Sequence, residues 1–104
     1  MNNYILVKTA IVNKKQVIAY YKGHLREMCP HMIGLKRGKI HGLFYQFGGT
    51  SGSGPIIKGS PDNWRCIEIM KLEEVSLRSG SWHTVTMEYE QSCIDQVDIQ
   101  AEED

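Results

Sequence analysis

The sequence has no long apolar run. Its first apolar stretch is interrupted by Lys8, and no stretch approaches the roughly 20 apolar residues that cross a bilayer. The start of the chain also lacks the basic region that opens a signal peptide. We therefore predict a cytoplasmic protein without a membrane-spanning helix.

Cysteine is scarce as well. The three cysteines are odd in number and form no CxxC pair, which favours reduced thiols over a disulfide framework. They are Cys29, Cys66 and Cys93. At 104 residues, 41% of them hydrophobic, the chain has the size of one domain with one core.

Basic residues are missing from the last quarter of the chain, since no lysine or arginine follows Arg78. The formal net charge is zero, but residues 1–87 hold all twelve basic residues and only five acids, which leaves this part at +7. Such an excess favours an anionic partner. We predict a β domain over 1–87 and a flexible acidic tail over 88–104 that competes with the ligand for the basic surface.

The hydrophobic pattern predicts one helix followed by strands. Asn2 and Asn3 are suitable N-caps for a helix over residues 3–13. Pro30 lacks an amide donor, so strand pairing is predicted to stop there or to continue only at an edge. The β-rich segments are 16–21, 25–29, 40–47, 64–70 and 72–77, with 82–87 as a last strand or packing arm. This order predicts a mostly β fold, a small bent barrel.

The order of these features resembles the WYL domain of bacterial ligand-responsive regulators. The residues that carry the resemblance lie within 4–77: Ala10-Ile11, Val17 to Tyr21, Arg26 to Pro30, Gly38 to Phe47, and Arg65 to Ile69 with Leu72 and Val75. His41-Gly42-Leu43 stands where the family has its Trp-Tyr-Leu tripeptide, and the sequence shows no helix-turn-helix. The resemblance is thus to a stand-alone, divergent member.

The resemblance implies an Sm-like or SH3-like five-stranded barrel with one N-terminal helix. It also implies that basic and aromatic side chains on neighbouring strands hold a nucleotide-like effector or single-stranded nucleic acid. Arg26 and Arg65 match the strand arginines of the family, and an arginine fork suits phosphate. Alternatively, these arginines pair with Glu27, Glu68 or Glu73 on the surface.

Further candidates come from the Gly/Ser loop and the aromatic residues. Backbone N–H groups of residues 48–54 are suited to wrapping an anion, although a flexible hairpin loop has the same composition. Tyr45, Phe47 and Trp64 are able to stack on a base or simply to fill the core. The predicted ligand-binding set is Arg26, His31, Tyr45, Gln46, Ser51, Ser53, Trp64 and Arg65.

The sequence offers few residues in a pattern that suits catalysis or metal binding. A metal site or a cysteine nucleophile would draw on Cys29, His31, His41, Cys66 and His83, but these residues follow no known ligand spacing or catalytic signature. We therefore predict a regulatory binding module, not an enzyme, with no cofactor or metal. The alternative is a small interaction barrel that binds a protein partner or a second copy through an exposed strand edge.

Overall fold

One helix precedes a run of six strands in the computed structural model, which describes residues 2–102. The elements are α1 Asn3–Asn13, β1 Gln16–Tyr21, β2 His24–Lys36, β3 Lys39–Gly49, β4 Trp64–Glu68, β5 Glu73–Arg78 and β6 Gln96–Gln100, with 3-10 turns at Pro61–Asn63 and Ile69–Lys71. None of the helices in this described part is long and apolar enough to span a membrane.

The helix begins and ends where its capping residues predict. The Asn2 side chain accepts a hydrogen bond from the backbone N–H of Ile5, and Lys14 ends the helix in the left-handed conformation. Val7, Ala10 and Ile11 are buried against the sheet. The predicted helix over 3–13 is confirmed.

The sheet is antiparallel, in the order β4-β3-β2-β1-β5, with β6 added beside β2. Two hairpins close on two-residue turns, Lys22-Gly23 and Arg37-Gly38, in which both residues have positive φ, as in a type I′ turn. The predicted mostly β fold with one helix is confirmed. Within residues 2–102, however, β4 and β5 lie at opposite edges without pairing, so the sheet is not closed.

Strand β2 continues through Pro30 as far as Lys36, so pairing does not end there; Pro30 itself is paired on one side only, with Phe44 of β3, which is the edge position that the prediction allowed. The register with β3 shifts between Pro30 and Met32, which leaves His31 as the extra residue of a bulge. On its other side, β2 pairs first with β1 and then with β6.

The two faces of the sheet are covered by different elements. The helix covers one face, the helix face, where the main core includes Val17, Met28 and Phe44. An irregular segment over residues 79–95, here called the strap, crosses the other face, the strap face, where Leu43 packs with Cys93 and Ile94. The strap contains residues 82–87, which form no strand.

Part of the acidic segment over 88–104 belongs to the sheet. Residues 96–100 form β6, a strand that the sequence prediction missed. Asp98 of this strand accepts a hydrogen bond from the Tyr4 hydroxyl and lies 3.3 Å from the Lys8 amine. Asp98 therefore contacts α1. The last two acids of the predicted tail, Glu103 and Asp104, lie outside the described residues.

Candidate anion-binding site

Three predicted site residues meet at one end of the core. Arg26, Gln46 and Arg65 lie on the neighbouring strands β2, β3 and β4. Arg65 is paired in register with the core residue Phe44, and Gln46 follows Phe44 by two residues, so both belong to the helix face. The strand order therefore brings together residues that are up to 39 apart in the sequence.

Arg26 is a buried cation with only neutral partners. Its side chain is 5% exposed and donates to the Gln46 Oε1 atom at 3.1 Å and to the Tyr21 carbonyl at 3.2 Å. The Tyr21 ring lies 5.5 Å from the guanidinium carbon. The Nε atom of Arg26 is buried without a hydrogen-bond partner. Burial, and then the positive charge of Arg65, lower the pKa of Arg26.

Arg65 is half-buried and, like Arg26, has a buried hydrogen-bond donor without an acceptor. It donates to the backbone carbonyls of Asp62 at 2.6 Å and Trp64 at 3.2 Å, while its Nε atom is buried without a partner. Burial lowers the pKa of Arg65, and the charge of Asp62 opposes that shift. The Asp62 carboxylate nevertheless forms no ion pair with it.

Two of the three acids that sequence analysis offered as surface partners for these arginines bind other groups, and the third, Glu73, is an exposed residue of β5. Glu27 pairs with Arg78 at 3.0 Å, and Glu68 lies 2.9 Å from the Lys71 amine. No ion pair of Arg26 or Arg65 is found anywhere in residues 2–102. The site thus holds two guanidinium groups that form no ion pair with a carboxylate of residues 2–102.

The Gly/Ser loop begins and ends at this site. Gln46 Nε2 donates to the carbonyls of Gly48 and Thr50 at 2.9 and 2.8 Å, and Arg65 holds the carbonyl of Asp62 at the far end. Ser51 and Ser53 are hydrogen-bonded to each other, with 3.0 Å between their hydroxyl oxygens, and have no contact with the arginines. The loop therefore surrounds the site through its backbone.

The remaining predicted site residues lie on the strap face. The His31 ring, placed there by the bulge, lies 4.8 Å from the Trp64 ring, and the Tyr45 ring lies 5.2 Å from Trp64. The Tyr45 side chain is buried, with its hydroxyl donating to the Ser60 carbonyl at 2.9 Å. Apart from the two loop serines, the structure thus divides the predicted set between the two faces: the rings of His31, Tyr45 and Trp64 belong to the strap face, and the side chains of Arg26, Gln46 and Arg65 belong to the helix face.

His31 should make stability depend on pH. Burial lowers its pKa, a hydrogen bond with the His83 carbonyl opposes this shift, and the charge of Lys14 adds to it. Below the ordinary value of 6.5 the unfolded chain gains a proton that the folded chain resists, so the free energy of unfolding should fall as the pH drops through 6.5. In urea titrations from about pH 8 to about pH 5, His31→Gln should flatten this loss. Equal slopes in both proteins would exclude His31 as its source.

Two of the three cysteines are bonded, which corrects the prediction of reduced thiols. Cys66 of β4 and Cys93 of the strap form a disulfide across 27 residues. Cys29 is buried, and burial raises the pKa of its thiol while a hydrogen bond from the His83 N–H opposes the shift. A protonated, buried thiol does not suit nucleophilic catalysis.

Metal binding gains no geometric support. In the part of the chain that the structure describes, no group of three or more His, Cys, Asp or Glu side chains is arranged to hold a metal ion. Cys66 is committed to the disulfide, and His41 bonds to the nearby Lys39 carbonyl at 3.0 Å. The candidate ligands are therefore dispersed.

Comparisons with protein families, with curated proteins and with solved structures find no match to this chain. The WYL resemblance thus depends on the residues quoted above. One of them can be examined directly: a Cβ atom added to Gly42 would lie 2.5 Å from the Phe44 ring and 2.8 Å from Ile69. A large side chain such as the tyrosine of the family tripeptide has no room at this position.

Proposed function

We propose that the protein is a non-catalytic, regulatory binding module for a phosphate-bearing ligand, a nucleotide-like effector or single-stranded nucleic acid. Arg26 and Arg65 hold the anion, and Gln46 orients Arg26. One observation carries this proposal. Both arginines have a buried Nε–H donor without an acceptor, and neither pairs with a carboxylate in the described chain.

The physical argument concerns the cost of an isolated buried charge. Removing a cation from water costs several kcal/mol unless an anion or a full set of hydrogen bonds compensates it. Arg26 has two neutral acceptors, and the nearby charge of Arg65 adds repulsion. A phosphate group offers several oxygens to two guanidinium groups at once. It therefore supplies both the missing hydrogen-bond acceptors and the missing negative charge. This ligand class is also the one that the WYL resemblance implies.

Access to Arg26 requires the Gly/Ser loop to move, because only 5% of this residue is exposed. The loop over residues 50–60 is mostly exposed. Its ends are held at Thr50, by Gln46 and the Leu25 carbonyl, and at Ser60, by the Tyr45 hydroxyl, so the movement falls on the residues between them. Phosphate oxygens replace the Asp62 carbonyl as acceptors for Arg65. The loop thereby acts as the entrance to the site.

The test is phosphate binding by the purified chain. Inorganic phosphate, nucleoside phosphates and a short single-stranded oligonucleotide are added in a thermal-shift assay, and the best of them is titrated by calorimetry. Loss of charge-assisted hydrogen bonds in Arg65→Ala should weaken binding about 10- to 100-fold.

Arg78→Ala is the matched control. It removes the same charge, but the guanidinium of Arg78 is already neutralised by Glu27 at 3.0 Å. Ligand binding should persist in this variant. It should also persist when all samples are brought to the same ionic strength with a chloride salt. Equal loss in both variants would mean that only overall charge matters, and full binding by Arg65→Ala would reject the site.

The alternative function, pairing through an exposed strand edge, has weaker support. One edge of the sheet belongs to β5, whose residues Glu73, Glu74 and Arg78 are exposed charges, and Glu74 has a positive φ of 52°. Charged side chains and irregular backbone are features that block pairing at an edge. We therefore rank this function below anion binding.

A further inference from the structure

A cavity on the strap face is lined by charged residues of both signs, the basic ones on the β2–β3 turn and two acidic ones on the strap. It has a volume of about 760 Å³ and is bordered by the β2–β3 turn and by the strap. The turn supplies the basic wall, Lys36, Arg37, Lys39 and His41. The strap supplies the acidic wall, Glu88 and Glu90, with Tyr89 between them.

These walls do not neutralise each other within one chain. In the described residues, Arg37, Glu88 and Glu90 take part in no ion pair. Lys36 donates to the carbonyl of Ser92, and Lys39 has only a loose contact of 3.7 Å with Glu68. The basic and acidic walls are therefore available to a partner.

Tyr89 supplies an apolar anchor next to these charges. Its side chain is 82% exposed, the largest exposed fraction among the large hydrophobic residues of the described chain. The floor of the cavity is apolar and includes Leu43, Trp64 and Met87. An aromatic side chain with a polar tip suits an apolar floor that is bordered by charged groups.

We infer that this surface binds a second copy of the same chain in a two-fold symmetric dimer. Each acidic wall faces the basic wall of the other copy, and the Tyr89 side chain of each copy enters the cavity of the other. A two-fold interface uses one patch twice, so it requires a patch that is complementary to itself. A wholly acidic or wholly basic partner would be repelled by one of the walls.

The test uses charge reversal and recombination. The first variant carries Arg37→Glu and Lys39→Glu, and the second carries Glu88→Lys and Glu90→Lys. Each variant alone presents two walls of the same sign, so its dimer dissociation constant should rise at least about tenfold. An equimolar mixture restores opposite signs at both contacts and should form a heterodimer with nearly the affinity of the parent. Sedimentation velocity over a concentration series measures all four samples.

Controls separate this interface from general charge effects. Glu73→Lys with Glu74→Lys makes the same charge change on exposed residues of β5 and should leave the dimer intact. Circular dichroism checks that each variant keeps the fold, and Tyr89→Ala should weaken the parent dimer. A parent that stays monomeric at every concentration, or a mixture that fails to associate, overturns the proposal. Because Arg26 and Arg65 line neither wall, loss of the dimer leaves the proposed anion site untouched.

Discussion

Replacing both bonded cysteines, Cys66→Ala with Cys93→Ala, is expected to lower the free energy of unfolding by about 3.5 kcal/mol. The disulfide closes a loop of 27 residues, and removing it returns conformational entropy mainly to the unfolded chain. Urea unfolding of the parent and the double variant measures the difference. Cys66 is exposed, so a soluble thiol reductant should produce the same loss in the parent.

Thiol counting provides the control for this prediction. Under denaturing, non-reducing conditions, alkylation followed by mass spectrometry should find one free thiol in the parent, that of Cys29. The double variant should not respond to reductant at all. Three reactive thiols in the parent, or a reductant effect of equal size in the double variant, would contradict the expected bond.

Arg26→Met is expected to separate binding from stability. Methionine is flexible, replaces the aliphatic stem of the arginine side chain and carries no charge. We expect phosphate binding to fall about 100-fold, while the free energy of unfolding rises by about 1 to 2 kcal/mol. The acceptors released on Gln46 and Tyr21 cost less than the uncompensated charge that disappears.

Arg26→Lys is the matched comparison, because it keeps the charge but loses the planar fork. It should weaken phosphate binding and give no gain in stability. Calorimetric titration and urea unfolding of the two variants are compared directly. If Arg26→Met is strongly destabilised and still binds phosphate, Arg26 is a structural residue and the proposed site is wrong.

The local elements were predictable because their signals are local. The cap at Asn2, the apolar spacing of the helix and the glycines of the two hairpin turns each act within a few residues. Strand β6 was missed because its acids suggested a tail. Its alternation, with Val97 and Ile99 separated by Asp98, was a period-two signal within that acidic segment.

The candidate site was only partly predictable. The residue type identified Arg26 and Arg65, but their unpaired state depends on where Glu27 and Glu68 find other partners. The bulge puts both His31 and Met32 on the strap face, where alternation would put only one of them, and no sequence period gives the position of a bulge. The Cys66–Cys93 bond joins residues 27 apart with no spacing motif. Such features depend on which strands pair and in what register, and a local residue pattern does not give that information.

Strand β2 pairs both with a strand that precedes it directly in the sequence and with the last strand of the described chain. Its first half pairs with β1 across a two-residue turn, whereas its second half pairs with β6, whose residues come some sixty positions later. Closing a short hairpin costs much less entropy than closing so long a loop. We therefore expect the β1–β2–β3 meander to form early in folding, and the strap and β6 to dock onto it later.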